Sequence, residues 1–407
     1  MTGANGKEFG RRVAFLRKKL GYSQSEFASR IDRSEAWLSQ VERGVRAIDR
    51  MSVLQRLADG LGVPITVLSP DQPVVAAAAA GTAPTPAGAL ALAVASNYAL
   101  RALLTDPDVL AAEDLEASAT QAWEYTHEAR YAQLSDLLLD LIPDVEMADR
   151  HAPEGDRPRV RGAKVRTYLA AAGALTKLGE SGAAWVAVER AMATAESLGD
   201  PLLVAEGAFR LAIAFQASGR FDLAARVASS AAGALMSLVE PENATPAAVA
   251  VFGALHLQLA VAAARTNEAD LAYAYLGTAE RAAERIGDGR NDYNTEFGPT
   301  NVVLHEVAIA VELGDAGRAL RAAERANAAG LSPERRGRLL IDVARAQGQM
   351  RRPDAIISAL TEGWAISPEQ YASHPRVREL VADLLRTDHR NRPDVKALAE
   401  RIIHLNP

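Results

Sequence analysis

Residues 23–44 read SQSEFASRIDRSEAWLSQVERG, and their pattern decides the fold of everything around them. Ser23 followed three residues later by Glu26 is the signature of a capping box, in which both side chains satisfy free N–H groups at a helix start. Phe27, Ala28 and Ile31 give that helix an inner face. Asp32-Arg33-Ser34 makes a tight turn, Ser34 caps a second helix, and Leu38 and Val41 are its buried positions. Gly44 closes it. Upstream, Phe9, Val13, Leu16 and Leu20 form one stripe of a helix ended by Gly21. Downstream, Val53, Leu54, Leu57 and Leu61 form another, followed by GVPITVL (62–68) and a short last helix.

Charge is unevenly spread along the 407 residues, whose net is −6. Residues 1–68 carry 12 Lys and Arg against 7 Asp and Glu, a net of +5, which leaves −11 for the rest. A basic head on an acidic body points to a polyanion as partner of the head alone. There is no cysteine. Disulfide staples, thiolate metal sites and cysteine nucleophiles are excluded together, in keeping with a reducing cytoplasm. No uninterrupted apolar run suggests a membrane span, and the first twenty residues lack the apolar centre of a signal peptide.

The chain reads as all-α, in three parts. A head spans 1–68; residues 69–88, SPDQPVVAAAAAGTAPTPAG, have linker composition; and 89–407 is an alanine-rich helical array. Within the array LGESGAAWVAVERA (178–191), SGRFDLAARVASSA (218–231), TNEADLAYAYLGTA (266–279) and LGDAGRALRAAERA (313–326) repeat one pattern. Each is a short polar turn, then a helix with alanines seven apart: Ala184/Ala191, Ala224/Ala231, Ala272/Ala279 and Ala319/Ala326. Such pairs share a helical face and let a neighbouring helix approach closely. Segments 109–148 and 348–366 supply degenerate end units. Units of this kind bury their apolar faces only by stacking, which predicts a solenoid with a concave side. LGDAGRALRAAERA resembles the turn and second helix of a tetratricopeptide repeat. The units start 40, 48 and 47 residues apart, however, against a standard period of about 34, so the family's curvature does not carry over.

GYSQSEFA (21–28), SEAWLSQVERG (34–44) and LQRLADGLGV (54–63) resemble the Cro/C1-type helix-turn-helix, the XRE family, over about residues 8–68. Asp32-Arg33 departs from it, where the family usually has Gly-Val. The resemblance implies double-stranded DNA as partner. A helix lodged in the major groove reads base edges with its outward residues, here Glu35, Ala36, Ser39 and Gln40. Gln40 suits adenine, Glu35 the amino group of cytosine, and Ala36 a thymine methyl. Gln24, Arg43 and Arg46 fall where phosphate contacts set the register. The resemblance also implies that Arg17 and Glu42 form a structural ion pair, while Trp37 reads as half-buried support.

A helix-turn-helix followed by tetratricopeptide-like repeats is the layout of the peptide-responsive regulators called the RRNPP group. That layout implies a homodimer and a peptide or small effector in the concave groove. The groove's inward polar candidates are Arg166, Glu206, Arg210, Gln258, Asn301 and His305. Asn301 could hold an extended peptide backbone by donating and accepting together; an internal hydrogen bond between repeats is the equal alternative. A solenoid docking another protein, or a scaffold whose head has lost DNA binding, are the competing readings. No catalytic residue, metal site or cofactor is expected. His305-Glu306 is followed by Ile309 where a zinc protease motif needs histidine, and GANGK (3–7) lacks the form of a phosphate loop.

Overall fold

The computed structural model describes residues 3–31, 33–45, 51–61, 63, 85–104, 109–386 and 392–404. Asp32, Arg46, the short helix expected after residue 63 and most of the linker-like stretch lie outside them. Among the described residues all regular structure is helical. The chain divides into two units, Met1–Ala83 and Pro84–Pro407.

In the first unit α1 (Gly3–Lys19), α2 (Gln24–Arg30), α3 (Glu35–Glu42) and α4 (Met51–Leu61) pack around Phe9, Val13, Phe27, Ile31, Leu38, Val41, Leu57 and Leu61. Ser23 forms the expected capping box with Glu26, and the Ser34 hydroxyl accepts from the Trp37 N–H at 3.2 Å. Gly10 lets α1 lie directly on α3, because an added Cβ would press on the carbonyl oxygens of Val41 and Glu42. Helix α1 starts six residues before Phe9. One expectation needs correction: Leu20 is exposed rather than on the buried stripe. The helix ends at Lys19, and Gly21, at φ +79°, swings the chain so that Tyr22 turns inward instead.

In the second unit α5 (Pro86–Ala95) and α6 (Ala99–Leu104) precede six helix pairs. Thr85 caps α5, so the last three residues of the linker-like stretch are already helical. The pairs are α7 (Ala112–His127) with α8 (Tyr131–His151), α9 (Arg157–Lys177) with α10 (Ser181–Leu198), and α11 (Pro201–Ala217) with α12 (Phe221–Ala234). After the short α13 (Met236–Val239) come α14 (Pro246–Arg265) with α15 (Ala269–Ile286) and α16 (Pro299–Glu312) with α17 (Ala316–Arg325). The last pair is α18 (Pro333–Gln349) with α19 (Pro353–Ile366); α20 (Pro368–Ser373), α21 (Pro375–Arg386) and α22 (Pro393–His404) close the chain.

One joint is used in all six pairs. Its middle residue is Ala129, Gly179, Gly219, Asn267, Gly314 or Arg351, each in the left-handed region. The next residue returns its N–H to a carbonyl five positions back, at 2.8–3.0 Å. This closes free carbonyls of the first helix and reverses the chain. The alanines do as their spacing predicts where the second helix is long enough. Ala184, Ala224, Ala272 and Ala319 are fully buried, as are Ala191 and Ala279. Ala231 and Ala326 are half-buried. Ala326 already lies past the end of α17, and on α12 Ala228 and Ala232 take the inner face.

The first helices of successive pairs pack side by side, and α18 returns against α7. The solenoid therefore closes on itself, and the concave side expected of it is the inside of the ring. Lys177 pairs with Glu334 across the closing seam, and the Ala132 N–H donates to the Glu369 carboxylate at 2.8 Å. Helix α14 is the one helix among the described residues long and apolar enough to cross a membrane, yet 83% of its most apolar stretch is buried in the ring.

Three joints lack glycine, and a side chain in the left-handed region costs about 1–2 kcal/mol. Arg351 is exposed, so Arg351→Gly loses little packing. It should raise stability by up to about 1 kcal/mol after the greater chain entropy of glycine is deducted, read as a higher denaturant midpoint of the second unit. An unchanged or lower midpoint would show that the joint is unstrained.

Candidate functional site

Helix α3 offers one face to its own core and one to solvent. Leu38 and Val41 are fully buried, Glu35 and Ala36 are exposed, and Ser39 and Gln40 are partly exposed on the outer side. The four residues expected to read bases thus share the accessible face. Arg43 is exposed just past the helix, with its Nε donating to the Ser39 carbonyl at 3.2 Å. Arg46 lies outside the described residues. Trp37 is half-buried, with the Arg33 guanidinium 5.6 Å from its ring centre.

What fixes this face is Glu42. Arg17 reaches its carboxylate with two bonds, Nε to Oε1 at 2.6 Å and Nη2 to Oε2 at 3.0 Å. A third bond from Arg17 Nη1 goes to the Tyr22 carbonyl at 2.6 Å. Gln24 Nε2 then donates to Glu42 Oε2 at 2.7 Å. The ion pair was legible from the sequence; the role of Gln24 was not. One of its two amide N–H donors goes to Glu42 and fastens α2 to α3.

The second unit has its own polar centre, a cavity of about 130 Å³ lined from α7, α9, α11, α14, α16 and α18. All six are first helices of their pairs, as the repeat reading expected. Of the six predicted groove residues, Arg210, Gln258 and His305 line it. Gln258 is held by Gln216, whose Nε2 donates to its carbonyl at 3.0 Å and to its Oε1 at 3.2 Å. Arg166 lies away from the cavity and donates to Thr120 Oγ1 at 3.1 Å. Asn301 is buried and fully employed: Nδ2 donates to the Thr295 carbonyl and Oδ1 accepts from Arg335, both at 3.3 Å. Of its two readings, the internal hydrogen bond holds. Glu206 is buried beneath the cavity, where it accepts from Asn294 Nδ2 at 3.3 Å.

Burial dominates the electrostatics here. It pushes the Glu206 carboxyl up to about 7, against the pull of the nearby Arg210 charge. It lowers the Arg210 guanidinium to about 10, still charged at neutral pH, and His305 to about 3, so that imidazole is neutral. Arg210 lies over the Trp123 ring at 4.7 Å from its centre, and its Nη2 donates to the Asn294 carbonyl at 2.6 Å. Sequence reasoning missed the residues that organise this centre: Arg335, Glu296, Glu334, Lys177 and His127. Glu296 is held down to about 2, despite its burial, by hydrogen bonding to His127 and by the Arg335 charge.

Residues 8–69 match the model of a family described as helix-turn-helix domain, and the first unit is such a domain. No curated protein matches the chain by sequence. Among solved structures the chain is similar to a Rap protein complexed with competence and sporulation factor, at 13% identity and a TM-score of 0.42, covering 72% of this chain and 93% of that one. It is similar to Bacillus thuringiensis PlcR in complex with the peptide PapR7 and DNA, at 14% identity and 0.33, covering 88% and 99%. ComR from Streptococcus suis follows at 14% identity and 0.20, covering 99% and 96%.

The Glu206 shift has a stability consequence. Its folded value of about 7 lies above the ordinary 4.5, so between those values the folded state holds the extra proton. The stability this group allows is full below about pH 4.5 and is lost as pH rises through 7. Glu206→Gln should leave stability unchanged near pH 4 and raise it by about 2–3 kcal/mol near pH 8, measured by denaturant unfolding at both values. Equal effects at both would mean the carboxylate is not destabilised by burial.

Proposed function

We propose that the chain is a sequence-specific DNA-binding transcription regulator whose second unit binds a peptide or small effector and pairs with a second copy of the chain. The observation that carries the first part is the outer face of α3. An amide (Gln40), a carboxylate (Glu35), a hydroxyl (Ser39) and a methyl (Ala36) stand together on it, and Glu42 locks that helix to α1 and α2. Those four groups cover the hydrogen-bond and apolar vocabulary of the major groove. A pinned helix presents them without an ordering cost at binding. The excess of 12 basic over 7 acidic residues in 1–68 supplies the attraction to phosphate. The proposed roles are base reading by Glu35, Ala36, Ser39 and Gln40, and phosphate contact by Gln24, Arg43 and Arg46.

Support for the second part is the centre of the ring. Six inner helices bring polar groups from across 200 residues of chain to one cavity, and a pairing head needs a device that sets its partner's position. Two copies would read an inverted repeat with half-sites about one helical turn apart or a multiple.

The test is selection from a random duplex pool followed by salt titration on the selected site. With on the order of six phosphates neutralised by the pair, log affinity should fall against log salt with a slope near −5. Gln40→Ala should change the preferred bases, costing about 1–3 kcal/mol on the original site. Arg43→Ala should weaken all sites alike and flatten the slope by about one per protomer. A slope near zero, or a selected sequence indifferent to Gln40, would remove the DNA reading.

A further inference from the structure

One segment of the second unit differs from every other connection. Between α15 and α16, which belong to successive pairs, the chain runs DGRNDYNTEFG (288–298), where α10 and α11 are joined by two residues, α8 and α9 by five and α17 and α18 by seven. It threads into the ring and bonds to three elements there. The Asn294 carbonyl accepts from Arg210, and its amide donates to Glu206. The Tyr293 hydroxyl donates to Asp200 at 3.3 Å, at the entry of α11. Arg335 of α18 donates to the Thr295 carbonyl at 3.0 Å and to the Glu296 carboxylate at 3.1 Å. His127 of α7 lies 3.2 Å from the same carboxylate.

This is the chemistry by which a protein holds a foreign peptide: main-chain carbonyls taken by arginines, one anchoring carboxylate, and side-chain bonds at intervals. The receiving side chains come from α7, α11 and α18, not from the flanks of the segment. The segment also holds Tyr293, Asn294 and Glu296 in the left-handed region, at φ between 46° and 51°. Each such residue costs about 1–2 kcal/mol, so its seat is maintained by the ring and not by its own preference. Two polar atoms at the cavity have no partner among the described residues: the hydroxyl of Tyr131, whose side chain is almost wholly buried, and Arg210 Nε. Buried groups of this kind are rare unless something is meant to meet them.

We propose that the ring centre is a binding site for a short peptide bearing a carboxylate, and that residues 288–298, a turned stretch, are its built-in occupant. The incoming carboxylate replaces that of Glu296 on Arg335, and its main chain takes the place of the Asn294 and Thr295 carbonyls on Arg210 and Arg335. Without an anion there, Arg335 would keep the neutral amide of Asn301 and, as charged partner, Glu334, whose carboxylate is 3.9 Å away and already paired with Lys177. A neutral or cationic peptide would leave that guanidinium buried without adequate compensation, which selects against it. This deepens the sensor reading above, and rests on it for biological purpose.

The segment itself is the probe. In the full chain, residues 290–296 are replaced by a Gly/Ser stretch of equal length, with Phe297 and Gly298 kept. A fluorescein-labelled peptide of residues 288–298 is titrated by polarisation. A tethered segment competes at an effective concentration on the order of millimolar. The peptide should therefore bind the replaced chain at least about tenfold more tightly than the native chain. A Glu296→Gln peptide, or Arg335→Gln in the replaced chain, should each lose about tenfold or more. Equal binding to replaced and native chains, or indifference to the carboxylate, overturns the proposal. If the replaced chain lacks a cooperative melt, hydrogen exchange on the native chain decides. Amides of 293–296 protected about a hundredfold over the free peptide, with protection lost in Arg335→Gln, support a seated occupant; amides exchanging like free peptide overturn it. DNA affinity is measured separately with and without peptide. Tight peptide binding with unchanged DNA affinity would end the sensor reading and leave the site standing, whereas a DNA response to host peptides without uptake of this probe would do the reverse.

Discussion

Six helices can surround a common axis only if the polar groups that meet there neutralise one another. In the second unit this constraint falls on Arg335. Its guanidinium is met by one main-chain carbonyl, one amide and one carboxylate from two other elements. Leaving a buried charge of that kind without its partner costs about 3–5 kcal/mol. The ring closes because α15–α16 delivers Glu296 to it and α9 delivers Lys177 to Glu334. The alanines and left-handed joints fix how each helix pair folds back; the charges at the centre determine whether the last pair can meet the first.

The first unit solves a smaller version of the same problem. Its helix α3 is eight residues long, too short to hold its own shape in water. Leu38 and Val41 bury it, and Gly10 brings α1 close enough for Arg17 to reach around to Glu42. With Gln24 on the same carboxylate, three helices are tied at one point, and the outer side chains of α3 inherit that rigidity.

Short-range chemistry was the part written legibly in the sequence. The Ser23–Glu26 box, the cap at Ser34, the buried Leu38 and Val41 and the four alanine-bearing units all depend on neighbours within a helical turn or two. Leu20 was misplaced because the helix end at Lys19 outweighs a stripe extended by one more step. The closure of the ring was not legible, since small rotations accumulate over six pairs and no local pattern records their sum. The 288–298 segment reads as a turn because Gly, Asn and Asp dominate it. Its length was the signal that it does more. The Asn301 amide donates to a main-chain carbonyl, and that carbonyl is the protein's own, Thr295 of a turned stretch.

That last substitution of ligand by self bears on how the second unit could act as a switch. Ordinary ligand pockets measure about 300–1,000 Å³, and the ring centre offers about 130 Å³ while the segment is seated. A peptide of several residues and the seated segment therefore exclude each other, which makes the two states of the ring discrete. A ligand shifts such an equilibrium only by its difference in affinity for the two states. Here that difference is nearly the whole of its binding energy, less what the segment's own bonds to Arg210 and Arg335 supplied. The strained backbone at Tyr293, Asn294 and Glu296 lowers that deduction, so an occupant held uncomfortably is easier to replace than one at rest.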